Sequence, residues 1–346
     1  MENLQAEELR DLVRDTIKVL TKIQALIMVA ISKSNEIKII RIYDAPAKTV
    51  WDAYTEPEQV AHWWGPRGFT LTTHSKDLKV GGTWDYTMHG PDGVDFPNLT
   101  KYLEVEKYQR LVYDHGANAD RPPMFRVTVV FSEFDGKTKM DMTMALPTIE
   151  AAEATRKFIK KASGDSTWDR FAEYLDKKTM GKESFVINRS FEAPLATVFE
   201  MWTNPKHFAK WLPPTGAEMS IISGDIKPGG GILYCMTTST GAKMYGRVNY
   251  KELSHPNHLL YTQQFCDEKG NISRNPMTPY WPETMLTNVT FAEEGPAQTR
   301  VTVSWEPHGK CSAEELDTFI KARTGMTGGW TGSFDKLEEY LASRAT

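Results

Sequence analysis

The sequence predicts an α+β protein of two tandem domains, each a curved antiparallel sheet closed by a long C-terminal helix, with one further helix in front. Three observations carry that expectation. VWDAYTEPEQVAHWWGPRG at 50–68 returns as VFEMWTNPKHFAKWLPPTG at 198–216, 148 residues later. Each copy opens on a strand-like run and continues in alternating segments punctuated by glycine, the pattern of strands joined by tight turns. Each copy also ends on a long amphipathic stretch, 150–178 and 312–341. A repeat this long means duplicated domains, since solenoid units recur every ~20–50 residues.

The 148-residue offset holds from Arg41/Arg189 to Tyr113/Tyr261. It becomes 160 at Phe131/Phe291 and Pro147/Pro307, so the second copy carries 12 additional residues (160 minus 148) between Tyr261 and Phe291. The predicted units are an N-terminal helix at 1–35 and domains at 36–178 and 183–346. At 346 residues the chain is long enough for both.

Within residues 1–35, Val13, Ile17, Leu20, Gln24, Ile27 and Ile31 follow a 4-3-4-3-4 spacing that lines one helix face. That face is predicted to pack on this chain first, or else to mediate self-association. The apolar run ALIMVAI is too short for a membrane span, which takes about 20 residues. With no cleavage site after an acidic start, the sequence predicts a cytoplasmic protein.

In each copy IKIIRIY and SFVINRSF open as strands. Pro46 and Pro194 suit a first helical turn. Thr55-Glu56-Pro57-Glu58 resembles a capping box for a second short helix, which the prolines after Trp64 and Leu212 stop. The two helices form a V that carries the repeated tryptophans. VGGTWDYTM and PGGGILYCM then run from glycine turns into strands, and about six strands follow the V. The closing helix of the second copy should break near Gly325 to Gly332.

The composition excludes several classes. A net charge of -4 gives no basic excess for nucleic acid. Cys235, Cys266 and Cys311 form no CxxC and no metal spacing, so reduced, buried thiols are expected. GxSxG, HExxH, the P-loop and GxGxxG are absent, and no cofactor or metal is implied. No histidine recurs in both copies where they align, so no duplicated acid–base pair exists; an enzyme is not favoured. His115 beside Asp114 is a weak pair, because strand neighbours face opposite ways. The shared charges are Arg41/Arg189, Asp77/Asp225, Lys79/Lys227 and Glu104/Glu252, which suit solvated or salt-bridged positions.

The combined set of Ala-Pro, the V with its Trp, Pro-x-Gly, Asp-x-Lys-x-Gly-Gly and a terminal Glu-Tyr-Leu resembles the START-like (SRPBCC, helix-grip, Bet v-type) superfamily. More narrowly it is similar to the branch related to the C-terminal domain of the activator of heat-shock protein 90 ATPase. The resemblance covers nearly everything after the N-terminal helix. It implies the helix-grip fold and a choice among lipid or polyketide binding, cyclase or hydrolase chemistry, and a chaperone-associated interaction module.

The residues favour binding of a small apolar or aromatic ligand, chiefly in the second copy. Tyr234, Met236, Met244, Tyr245, Tyr261, Phe265, Tyr280, Trp281, Met285 and Trp330 crowd its strands, its insert and its last helix, with Arg247, Asn249 and Gln263 as polar groups. In the first copy Trp84, Tyr86 and Met88 share the corresponding face. The competing role for each is ordinary core, and Trp63 and Trp211 belong there by the large area they bury. The insert QQFCDEKGNISRNPMTPYWPETML tips the reading toward the second copy, as loops of that length are uncommon without function.

Overall fold

The computed structural model describes residues 34–117, 122–161, 166–180, 183–275 and 278–344. The amphipathic stretch expected at 1–35 lies outside them but for its last two residues. Two seven-stranded antiparallel sheets follow in sequence. The first comprises β1 (Glu36–Tyr43), β2 (Thr70–Lys76), β3 (Thr83–His89), β4 (Asp95–Glu106), β5 (Arg110–Ala117), β6 (Phe125–Phe134) and β7 (Lys137–Ala145), in the order β1-β7-β6-β5-β4-β3-β2. Helices α1 (Ala47–Thr55) and α2 (Pro57–Val60) form the V, and α3 (Ile149–Lys161) and α4 (Ser166–Met180) close the domain.

The second sheet repeats that order with β8 (Phe185–Phe191), β9 (Ala217–Gly224), β10 (Gly231–Thr238), β11 (Lys243–Ser254), β12 (His258–Cys266), β13 (Met285–Gly295) and β14 (Gln298–Pro307). Its V is α5 (Leu195–Thr203) and α6 (Pro205–Trp211), and its closing helix is α7 (Ala313–Arg344). No helix among the described residues is long and apolar enough to cross a membrane.

The duplication extends to single hydrogen bonds. Trp63 and Trp211 are both fully buried, and their indole N–H groups donate to the carbonyls of Ala53 and Met201, each at 2.9 Å. Each tryptophan thus ties the second arm of a V to the first. Thr138 donates to Ala45 O at 2.6 Å and Thr299 to Ala193 O at 2.8 Å. That pair sets the offset of the last strand at 161, because the β13–β14 turn holds one more residue; Pro147 and Pro307 are therefore not equivalent. Asp77–Lys79 and Asp225–Lys227 repeat an exposed turn pair at 2.8 and 2.9 Å.

Three local expectations are corrected. The capping box at Thr55 does not form: its hydroxyl donates back to Trp51 O, and Glu56 caps α2 without a side-chain bond. Its counterpart Asn204 does cap, accepting from Lys206 N at 3.1 Å. Helix α7 runs unbroken through Gly325, Gly328, Gly329 and Gly332. Each glycine costs roughly 1 kcal/mol in a helix, but Phe319, Trp330, Phe334, Leu337 and Leu341 bury one face of α7 against the sheet. Gly332 also permits close approach, since a Cβ there would lie 2.8 Å from Thr215 Oγ1. Lastly, Cys235 and Cys266 are buried as expected, but Cys311 is exposed before α7.

Arg41 and Arg189, expected at solvated or salt-bridged positions, are salt-bridged and stand at the junction of the domains. Glu294 of β13 reaches the first domain, with Arg41 at 3.8 Å and Arg300 of its own sheet at 3.7 Å. Arg300 also lies 3.6 Å from Asp44 and 5.8 Å from the centre of the Tyr43 ring. From the other side, α4 lies along β8: Glu173 accepts from Asn188 N at 3.0 Å and Asp176 from Asn188 Nδ2 at 3.2 Å. Asp169 faces Arg189 at 3.7 Å. The junction is a buried network of opposite charges, in which removing any one partner would leave another buried charge uncompensated.

Candidate ligand pocket

The first domain is packed through. Trp84 and Tyr86 stack at 4.1 Å, and Trp64 meets Trp84 at 5.0 Å. The Tyr86 hydroxyl and His115 Nδ1 are 3.5 Å apart, and Phe125 stacks on His115 at 4.7 Å. Burial raises the Tyr86 phenol far above its ordinary value. Trp84 and Tyr86 are thus interior packing, while Met88 is half-buried near Gly65. A void walled by Tyr54, Trp64, Trp84, Thr100 and Tyr113 measures about 10 Å³, the room of one water molecule. Asp114 turns away from His115 to bond Arg126 at 2.8 Å, as strand alternation requires.

The second domain fills the same place differently. By the 148 and 160 offsets, Leu212, Ile232 and Met285 stand where the first has Trp64, Trp84 and Phe125, and Tyr234 and Gln263 replace Tyr86 and His115. Strand register confirms the match: Gln263 pairs with Met285 as His115 pairs with Phe125. A pocket of about 40 Å³ results, lined by Tyr234, Gln263, Gln264, Phe265, Trp281, Pro282, Glu283 and Met285. Among the described residues nothing hydrogen-bonds the Tyr234 hydroxyl or the Gln263 side chain. Burial pushes the Tyr234 phenol up to about 12, with Cys266 adding to the shift, so it is a neutral donor at physiological pH.

The pocket wall depends on two local features. The Tyr234 ring lies against Gly246, where a Cβ would come 2.3 Å from the ring. The insert after β12 is strapped to α7: Trp281 meets Phe319 edge-on at 5.8 Å, and Arg274 pairs with Glu315 while donating to Trp281 O at 3.3 Å. Glu315 also joins Ser312 in a capping box at the start of α7. The segment around Trp281 is thus tied to α7 by the Trp281–Phe319 ring contact and the Arg274–Glu315 pair, whose arginine also holds the Trp281 carbonyl.

The expected site residues divide accordingly. Tyr234, Gln263 and Trp281 come together. Met236 and Tyr261 face the same interior, and Trp330 stacks on Trp202 at 6.0 Å in the core. Tyr280 projects outward, 55% exposed. Tyr245 and Arg247 lie on the opposite face: they pair across the ladder with Cys235 and Leu233, the strand neighbours of Tyr234 that point away from the core. Arg247 Nη1 reaches Gly270 O at 3.4 Å and so holds the insert from outside. Pro282, Glu283 and Gly246 went unread in the sequence; the glycine signal was present, an isolated Gly within a strand pattern.

Two seven-stranded sheets, each with a two-helix V, the first closed by α3 and α4 and the second by α7, define a tandem helix-grip protein. The model of the family "Activator of Hsp90 ATPase homolog 1-like protein" matches residues 44–176 and 192–342, most of the chain, and the chain belongs to that family. Among solved structures it is similar to protein Ms6760 from Mycobacterium smegmatis, at 23% identity over 46% of this chain and 90% of that one, TM-score 0.39. Protein NE0264 from Nitrosomonas europaea gives 22% identity over 42% and 97%, TM-score 0.39. The di-domain ARO/CYC BexL from the BE-7585A biosynthetic pathway is 12% identical over 88% of this chain and 97% of its own, TM-score 0.36. No curated protein matches.

Proposed function

We propose that the protein binds a small apolar or aromatic molecule in its second domain, at the pocket under Trp281, while the first domain is a solid structural partner. The observation that carries this is the exchange at one position of the duplicated fold. Tyr86–His115 is sealed by Phe125, whereas Tyr234–Gln263 opens on a pocket with both polar groups unpartnered among the described residues. Apolar walls with a few convergent polar groups are the make-up of small-molecule sites. At about 40 Å³ the pocket is far below the roughly 300–1,000 Å³ of such sites. A ligand therefore enters only with displacement of the Trp281 loop, and its ring or chain takes that space. We place the domain boundaries at 36–178 and 183–346, and the protein in the cytoplasm.

A thermal-shift screen of the full chain with fatty acids, flavonoids and polyketides tests the reading. A ligand that binds only the folded state adds about 2.7 kcal/mol at a hundredfold excess over Kd. Hits whose shift is weakened by Tyr234→Phe support it. A silent screen rejects it, and the filled first domain then favours a protein-interaction module of the chaperone-associated kind.

A further inference from the structure

The second domain carries another concavity, outside its core. It is an open cleft of about 720 Å³ between α6, β9, the end of β10 and α7. Its floor is Ala209, Pro213, Ala217 and Met219, and its rim holds Lys210, Lys336 and Glu218. The first domain shows what occupies that place when it is closed. A Cβ on Gly68 would meet the Pro91 ring at 3.3 Å, and Phe69 packs against Phe96 at 5.9 Å. The equivalents are Gly216, Ser239 and Ala217 by the 148 offset, and around Gly216 nothing lies within 4 Å of such a Cβ. Two rings have been replaced by a hydroxymethyl and a methyl group, and the volume stands open.

The cations change in the same sense. Arg170 of the first domain spends its guanidinium on the carbonyls of His62, Gly65, Pro66 and Phe69. Among the described residues its counterpart Lys336 makes one hydrogen bond, to Pro213 O at 2.9 Å. An ammonium has three donors, so two remain for the cleft. Burial lowers the Lys336 pKa, with Glu218 opposing the shift. Lys210 replaces His62, which in the first domain stacks flat on Tyr174 at 5.5 Å. It is exposed, and among the described residues no carboxylate pairs with it. The rim thus holds two ammonium groups against one carboxylate.

We propose that this cleft is a second binding site, for a small ring-bearing carboxylate. The ring takes the space that Pro91 and Phe69 fill in the first domain, and the carboxylate meets Lys210 and Lys336. The site is independent of the Trp281 pocket. It is tested by titrating the full chain with benzoate and, as the neutral control, benzyl alcohol. Benzoate binds with at least about tenfold preference, Lys336→Met and Lys210→Met each reduce its affinity several-fold, and Glu218→Gln raises it. Ala217→Phe, which restores the ring of the first domain, abolishes binding, and Met285→Phe leaves it unchanged. Equal affinity for benzyl alcohol overturns the proposal, as does benzoate binding indifferent to both lysine variants. If Ala217→Phe fails to fold, the lysine and Glu218 variants decide alone.

Discussion

The Glu294 carboxylate of the second domain accepts a hydrogen bond from the backbone N–H of Ile42 in the first, at 3.1 Å. Its other oxygen takes the Ser190 hydroxyl at 2.7 Å, and its side chain is wholly buried between Arg41 and Arg300. One carboxylate therefore joins the opening strands of both domains. Glu294→Ala strips two buried guanidinium groups of their shared partner, and such losses cost about 3–5 kcal/mol. Chemical denaturation measures it. Glu294→Gln keeps both hydrogen bonds with the charge removed and falls between the two.

Asp169 supplies a pH dependence at the same junction. Burial pushes its carboxyl up to about 7, against the pull of Arg41, Arg189 and Arg67. An acid whose folded pKa is raised binds more protons folded than unfolded between about 4 and 7. Its contribution to stability is complete at low pH and is lost as pH rises through about 7. The melting temperature measured from pH 5 to 8 shows that loss superposed on other groups. Asp169→Asn removes this part of the slope; an unchanged slope means that Asp169 is ionised throughout.

Trp211 is fully buried and hydrogen-bonded to the opposite arm of its V. Trp211→Ala costs about 3–5 kcal/mol, as large aromatic truncations do. Trp63→Ala costs an amount in the same range, because its indole makes the same bond to the first arm of its V, although its ring stacks on Phe171 at 4.0 Å where Trp211 meets Trp202 at 4.5 Å. Equilibrium unfolding of both variants checks the pair, and a large inequality would show that the two V-shaped hairpins are not energetically equivalent.

Gly246 supports the ring of Tyr234. Gly246→Ala drives a methyl group into that ring, and overpacking of this kind costs about 1–3 kcal/mol. The ring must then move into the pocket, so ligand-induced thermal shifts fall more than the stability of the free protein does. Trp281→Ala acts otherwise. It removes the contact with Phe319 and leaves the pocket wall open, so ligand dissociation speeds up in stopped-flow measurements.

Most of the architecture was legible because the duplication let each copy check the other. The V helices, the glycine turns and the seven strands follow from period and punctuation alone. The unbroken α7 was not legible: local glycine content argues for a break, and only burial of Phe319, Trp330 and Phe334 overrides it. The lining of the candidate pocket was legible in part. Tyr234, Gln263 and Trp281 meet as their composition suggested, but Tyr245 and Arg247 fall on the outer face because residue parity along β11 is fixed by its pairing with β10. The junction was legible only in part: Arg41 and Arg189 stood out as shared charges, but Glu294 is the extra residue at the β13 bulge, and the counterpart of Arg300, Lys139, pairs with Asp141 on its own strand.

The central claim, that the second domain binds where the first is sealed, rests on Met285 standing where Phe125 stands. Met285→Phe in the full chain transplants the seal. With a ligand found by the thermal-shift screen, calorimetric titration of this variant should show binding lost while the melting temperature of the free protein stays within a few degrees of the parent. Undiminished binding to a folded Met285→Phe protein would contradict the account.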